Sequence, residues 1–286
     1  MRRFMQPHLT PMRALATLLI AGSLACTPAT PGGEEPTPVD LEEYAFALLD
    51  SGGVELLDLT YPLSPDSLYW PTGSPFEHEF SGGVSDGGYW YASGGFSSAE
   101  HLGTHLDAPI HFGEDRWTSS EIPLQRLFGR GVVIDISAKT SVDPDATLST
   151  DDIHAWEQRN GPLAAGSIVI VRTGWAARWP DWNAYYGTET PHDVTTLHFP
   201  GIAEDAAHTL VERGVAGVGL DTASIDPGTS ADFRAHQVLA AANIFNLENL
   251  TNISELPEAG FGVIALPMKI EGGTGGPTRV VAVVPR

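Results

Sequence analysis

Residues 101–112, His101-Leu-Gly-Thr-His105-Leu-Asp107-Ala-Pro-Ile-His111-Phe112, place three of the chain's ten histidines and a carboxylate within eleven positions. In an extended chain residues 101, 105, 107 and 111 fall on one side, whereas helical spacing would swing Asp107 away from the 101/105 pair, so the segment reads as strand and turn. A straight strand would hold His101 and His111 roughly 33 Å apart. For them to share a site the chain must bend, and Gly103 and Pro109 stand where it can. Imidazole and carboxylate without nearby thiolate suit zinc, manganese or iron; the plainer alternative is a loop whose histidines are each bonded to backbone.

The segment resembles the signature H-x-G-T-H-x-D-x-P-x-H of the metal-dependent cyclase-like hydrolases, the family of bacterial kynurenine formamidase and isatin hydrolase, with every fixed position present. The resemblance implies an α/β chain of the swivelling β/β/α type, a single domain with a mixed sheet. Composition agrees with a globular chain: hydrophobic residues are 42% and charged residues 18%. A formal charge of -21 argues against nucleic acid as partner.

Residues 1–26 combine Arg2, Arg3 and Arg13 with the short apolar run from Ala14 to Gly22 and the sole cysteine, Cys26. This pattern predicts an export signal of lipoprotein type, too short to span a membrane, with ordinary cleavage near Ala25 as the alternative. The protein is then expected to be exported and to meet a membrane only through acylated Cys26, or else to be periplasmic or secreted. One cysteine excludes an intrachain disulfide. Residues 27–40, rich in proline, read as a disordered tether, and 41–286 as the hydrolase domain; a short helix is expected over Val39 to Leu49.

Strands are expected at Val54 to Thr60, around Tyr89-Trp90-Tyr91, and at four apolar runs that look buried on both faces: 131–136, 167–171, 215–220 and 262–266. Helices are expected over Thr150 to Gln158 behind a Ser149/Thr150 cap, and over Ile202 to Arg213 before a C-cap at Gly214. Asp221 to Asp226 and Thr173-Gly174-Trp175 are read as structural turn chemistry and left out of the site. A helix from His236 running into a strand that ends at Glu248 can return a second imidazole and carboxylate to the first segment. Surface positions for both explain the bare pattern as well.

The resemblance decides between these. It implies two divalent ions, zinc or manganese, with His101, His105 and Asp107 on one, Asp107, His236 and Glu248 on the other, His111 as the acid/base, and Trp70 of Trp70-Pro71 lining the substrate pocket. It implies hydrolysis of a C–N bond, amide, formamide or lactam, in a small aromatic substrate by a homodimer or larger assembly. Trp90 and Tyr91 are expected as further aromatic walls from their place shortly before the metal segment. The alternative is a metal- or ligand-binding lipoprotein of the same fold without turnover.

Overall fold

A computed structural model describes residues 52–286; the expected export signal, tether and helix at Val39 to Leu49 lie outside the described residues. Twelve strands and five α-helices are found among them. In chain order the strands are β1 (Val54–Asp58), β2 (Glu77–Val84), β3 (Trp90–Ser97), β4 (His105–Asp107), β5 (Phe128–Asp135), β6 (Thr147–Leu148), β7 (Ile168–Arg172), β8 (Gly201–Ile202), β9 (Gly217–Leu220), β10 (Phe245–Glu248), β11 (Phe261–Pro267) and β12 (Gly275–Pro285). The helices are α1 (Ser137–Thr140), α2 (Thr150–Asn160), α3 (Trp182–Tyr186), α4 (Glu204–Glu212) and α5 (Arg234–Ala241).

Eight strands form one mixed sheet in the order β1-β12-β11-β5-β7-β9-β10-β4, and β4 also pairs with the start of β12, which closes the sheet on itself. The closure removes an open edge. It also puts the central residues of the metal-type segment between two partners: Asp107 lies opposite Asn246 and Gly275, and His105 opposite Glu248 and Pro277.

The two sides of this sheet are two cores. Leu106, Val133, Ile168, Ile170, Phe245, Leu247, Phe261, Val263, Val280 and Ala282 fill the inside. Phe261 and Phe245 lie where side chains at Gly131 and Gly217 would stand, so those strand glycines are required by close approach of rings. The alternate residues Val132, Ile134, Val169, Val171, Val218 and Leu220 meet the inner stripes of α2, α4 and α5 outside. β5, β7, β9 and β10 run parallel; β7, β9 and the second half of β5 are buried on both faces, as expected from their apolar runs, and the short β10 is buried as well. β11 differs. It alternates buried and more exposed residues because both its partners are antiparallel and no crossover helix among the described residues covers its outer face.

The cap reading holds for α2, where Ser149 accepts from the Asp152 amide and the Asp152 carboxylate accepts from the Ser149 amide. α4 starts two residues later than expected because Gly201 and Ile202 pair with β6, and Gly214 adopts the left-handed φ of +66° after the helix end. β2 and β3 form a separate two-stranded ribbon, exposed along its length. Trp90 (66% exposed) and Tyr91 (64% exposed) sit on this ribbon, which corrects the expectation that they wall the pocket.

Candidate metal centre

The bends foreseen at Gly103 and Pro109 are present: Gly103 has φ +58°, and Pro109 opens a 3-10 turn ending at His111. Between them β4 points His105 and Asp107 to the same side, the outer face of the sheet beneath α5. β10 brings Glu248 opposite His105, and α5 lowers His236 onto the pair. His105, Asp107, His236 and Glu248 are all buried, while His101 is about one-fifth exposed.

The inward ring nitrogens and carboxylate oxygens converge. His105 Nε2 lies 3.2 Å from Asp107 Oδ1 and 3.3 Å from Glu248 Oε2. His236 Nε2 lies 3.2 Å from both Asp107 Oδ2 and Glu248 Oε1, and His101 Nδ1 lies 2.6 Å from Asp107 Oδ1. Each carboxylate thus offers its two oxygens to different imidazoles. The outward nitrogens fix the tautomers. His105 Nδ1–H donates to the Gly103 carbonyl at 2.8 Å, and His236 Nδ1–H donates to Asp226 at 2.6 Å. In neutral rings the inward nitrogens would then carry lone pairs aimed at carboxylate oxygens; His236 Nε2 stands at hydrogen-bond distance from Asp107, and His105 Nε2, fully buried, lacks a well-aligned partner. Acceptor facing acceptor inside a protein needs a positive charge between them. Ligands about 2.1 Å from a common cation and 90–110° apart are separated by about 3.0–3.4 Å, the spacing seen around His105 and His236, so the residues fit a divalent ion.

Without a cation, protons must do the same work. Burial pulls the His105 imidazole down, but hydrogen bonds and charge from Asp107 and Glu248 outweigh it and raise its pKa to about 10. His236 is likewise raised well above its ordinary value, against burial, by Asp107, Asp226 and Glu248. Burial also opposes ionisation of Asp107, yet the charge and hydrogen bonds of the surrounding histidines hold its carboxyl well below the usual range. A histidine whose folded pKa is raised stabilises fully below its unfolded value, near 6.5, and loses that contribution as pH climbs through the folded value. The metal-free protein should therefore lose a few kcal/mol at most between about pH 6.5 and 10, because each tenfold change in proton affinity is worth about 1.4 kcal/mol. Thermal unfolding with chelator at pH 6, 8 and 9.5 should show a falling Tm that added metal abolishes; a flat Tm in the metal-free protein would contradict the assigned charges.

His111 stands beside these groups but apart from the buried four. Its ring stacks on His101 with centroids 3.9 Å apart, and its nitrogen comes within 4.8 Å of ligand atoms on His101 and Asp107. Burial dominates its environment and lowers its pKa to about 4, so the ring is neutral at neutral pH.

The cluster floors a cavity of about 370 Å³. Trp70 lines it, joined by Phe112, Tyr186 and Phe233, which sequence reasoning missed. Phe233 meets Trp70 edge-on at 6.0 Å and Phe112 at 5.4 Å. The available signal was their position, directly after His111 and three residues before His236. Asp226 was missed too. Its oxygens accept from the Ala235 and His236 amides as well as from the His236 ring, so one carboxylate caps α5 and orients its imidazole. Asp221 is structural, as read: it is buried and accepts from Thr173 and the Ala176 amide.

Residues 57–227 match the model of the putative cyclase family, well over half of the chain. The chain belongs to that family. Among family relatives, an isatin hydrolase of Roseibium aggregatum is 36% identical over 84% of this chain and 95% of its own length. A kynurenine formamidase of Salinibacter ruber is 29% identical over 79% of this chain and 96% of its own. The structure of isatin hydrolase A from Ralstonia solanacearum superposes with a TM-score of 0.78 at 34% identity, covering 88% of this chain and all of that one. The mixed α/β fold expected from the signature is the fold these cyclase-family proteins share.

Proposed function

We propose that this protein is a metal-dependent hydrolase of the C–N bond in a small, flat aromatic amide, a lactam of the isatin kind or an aryl formamide. The observation that carries the reading is the set of three inward imidazole nitrogens and two shared carboxylates on the floor of an aromatic-walled cavity, with a neutral His111 stacked beside them. The relatives named above support the bond type.

His101, His105 and Asp107 would hold one ion and Asp107, His236 and Glu248 the other, zinc or manganese by the chemistry of the donor set. Bound there, a divalent ion supplies Lewis acidity, acidifying a water and polarising the amide carbonyl. The protein's own groups do the rest. Trp70, Phe112 and Phe233 hold the flat ring and exclude bulk water. His111 accepts the proton of the attacking water and returns it to the departing nitrogen as the C–N bond breaks, giving a carboxylate and an amine. The reaction needs water alone as co-substrate.

Export and anchoring through Cys26, and a homodimer or larger assembly, belong to the same proposal; the apolar side chains exposed on the β2–β3 ribbon favour self-association. The test is a panel of isatin, N-formylkynurenine and simple aryl lactams with metal-loaded protein and with Trp70→Ala. Stacking contributes about 0.5–1.5 kcal/mol beyond area, so KM for the preferred substrate should rise roughly three- to tenfold with kcat changed less. Indifference of the wild type to the whole panel would leave a binding protein of the same fold in place of the enzyme.

A further inference from the structure

The three inward histidines do not present the same atom. His105 and His236 turn Nε2 to the centre, whereas His101 turns Nδ1. We propose that Glu100 and Thr274 are positioning residues that impose this reversed presentation on His101. The proposal rests on the metal-dependent reading above.

The hydrogens can be placed one by one. Thr274 Oγ1 donates its single proton to Glu100 Oε2 at 2.6 Å, so towards His101 it has only lone pairs. His101 Nε2 lies 2.9 Å from that oxygen and must therefore be the protonated nitrogen. Without a cation, Nδ1 shares a proton with Asp107 Oδ1 at 2.6 Å; with one bound, the neutral ring would keep its single N–H at Nε2 and give the Nδ1 lone pair to the ion. The same oxygen of Glu100 also accepts from the Thr274 amide at 2.7 Å, so one carboxylate fixes both the backbone and the hydroxyl of residue 274.

The next residue completes the seat. A Cβ at Gly275 would stand 2.7 Å from His101 Cε1 and 2.6 Å from the Leu106 carbonyl, so only glycine lets the imidazole lie against the start of β12. The face of the ring is stacked by His111. Hydroxyl, glycine and stacked ring together leave His101 one orientation, and His111 rests on the platform so fixed. A ligating imidazole whose far nitrogen donates towards a carboxylate is also a stronger donor, and here the carboxylate acts through the hydroxyl between them.

The experiment uses zinc-loaded protein and two readouts: metal affinity by competition with a chromophoric chelator, and the nitrogen resonances of the histidine rings. Thr274→Val keeps the shape and removes the acceptor. It should weaken affinity roughly ten- to hundredfold, while Thr274→Ser stays within roughly threefold of wild type. The wild-type spectrum should contain one histidine protonated at Nε2 among ligands protonated at Nδ1, and Thr274→Val should lose that signature. Glu100→Gln, which can keep both hydrogen bonds at one oxygen but not the charge, should fall between them and serves in place of Thr274→Val if that variant does not fold. Wild-type affinity and ring resonances in folded Thr274→Val, or equal losses in Thr274→Ser and Thr274→Val, would overturn the proposal while leaving metal dependence standing. Wild-type protein that takes up no divalent ion would overturn the metal reading itself.

Discussion

Asp107→Ala should empty the site of metal and reduce turnover by about a thousandfold or more, since loss of several kcal/mol of charge stabilisation costs a factor of ten for each 1.4 kcal/mol. The expectation follows from where its oxygens go. Oδ1 faces His101 and His105, and Oδ2 faces His236, so this one carboxylate serves both halves of the cluster. Removing an outlying ligand would leave one half intact, but removing Asp107 leaves the buried His105 and His236 with Glu248 as their remaining shared counter-charge and takes from His101 its carboxylate. Elemental analysis of the purified variant reads the outcome, and full occupancy would contradict the assignment. The variant should also lose much of the pH dependence of stability expected for the metal-free protein, because the raised pKa of His105 depends on hydrogen bonding and charge from Asp107.

His111→Ala should behave in the opposite way towards metal. Occupancy should be retained while kcat falls roughly 10²- to 10⁴-fold, the usual size of a general acid–base contribution. The half-buried ring, held neutral down to about pH 4 by desolvation, is available as a base throughout the neutral range. A histidine with a depressed pKa keeps its neutral form above that value and loses it only as pH falls through it. The acid limb assigned to His111 in the wild-type profile should therefore lie well below pH 6.5 and be absent from the variant. A variant with undiminished kcat would remove His111 from the chemistry.

The difference between what the sequence disclosed and what it concealed has physical causes. The 101–111 segment was legible because its chemistry is local: four groups in eleven residues have few structural reasons to coincide, and Gly103 and Pro109 supply the bends. β5, β7 and β9 were legible because parallel strands covered on both faces leave unbroken apolar runs. His236 and Glu248 are a weak pattern alone, and the resemblance singled them out; the antiparallel register of β10 on β4 brings Glu248 to His105, and Asp226 at the start of α5 holds His236 over the pair.

Other features depend on contacts that no short window contains. Thr274 meets His101 across 173 positions of chain, within a glycine-rich run that carries no strand periodicity. The same run closes the sheet through Gly275–Pro277 on β4, where composition alone argues against a strand. Asp226 looked like turn chemistry because it precedes Pro227, and its hydrogen bonds to α5 appear only once residues 226 and 236 are folded together. Trp90 and Tyr91 misled for a related reason: nearness in sequence to a metal segment does not bring a side chain to its cavity. The pocket took Phe112 and Phe233 instead, each carried in by a histidine neighbour.

The most direct test of metal-dependent hydrolysis is turnover of isatin and an aryl formamide by one preparation measured three times: as loaded with divalent metal, after removal of metal by chelator at pH 7, and after reloading. The expected sequence is turnover, loss of turnover with the fold retained, and recovery, with metal uptake on reloading releasing about two protons as the imidazoles exchange protons for cations. Equal hydrolysis by the stripped and loaded protein would contradict it.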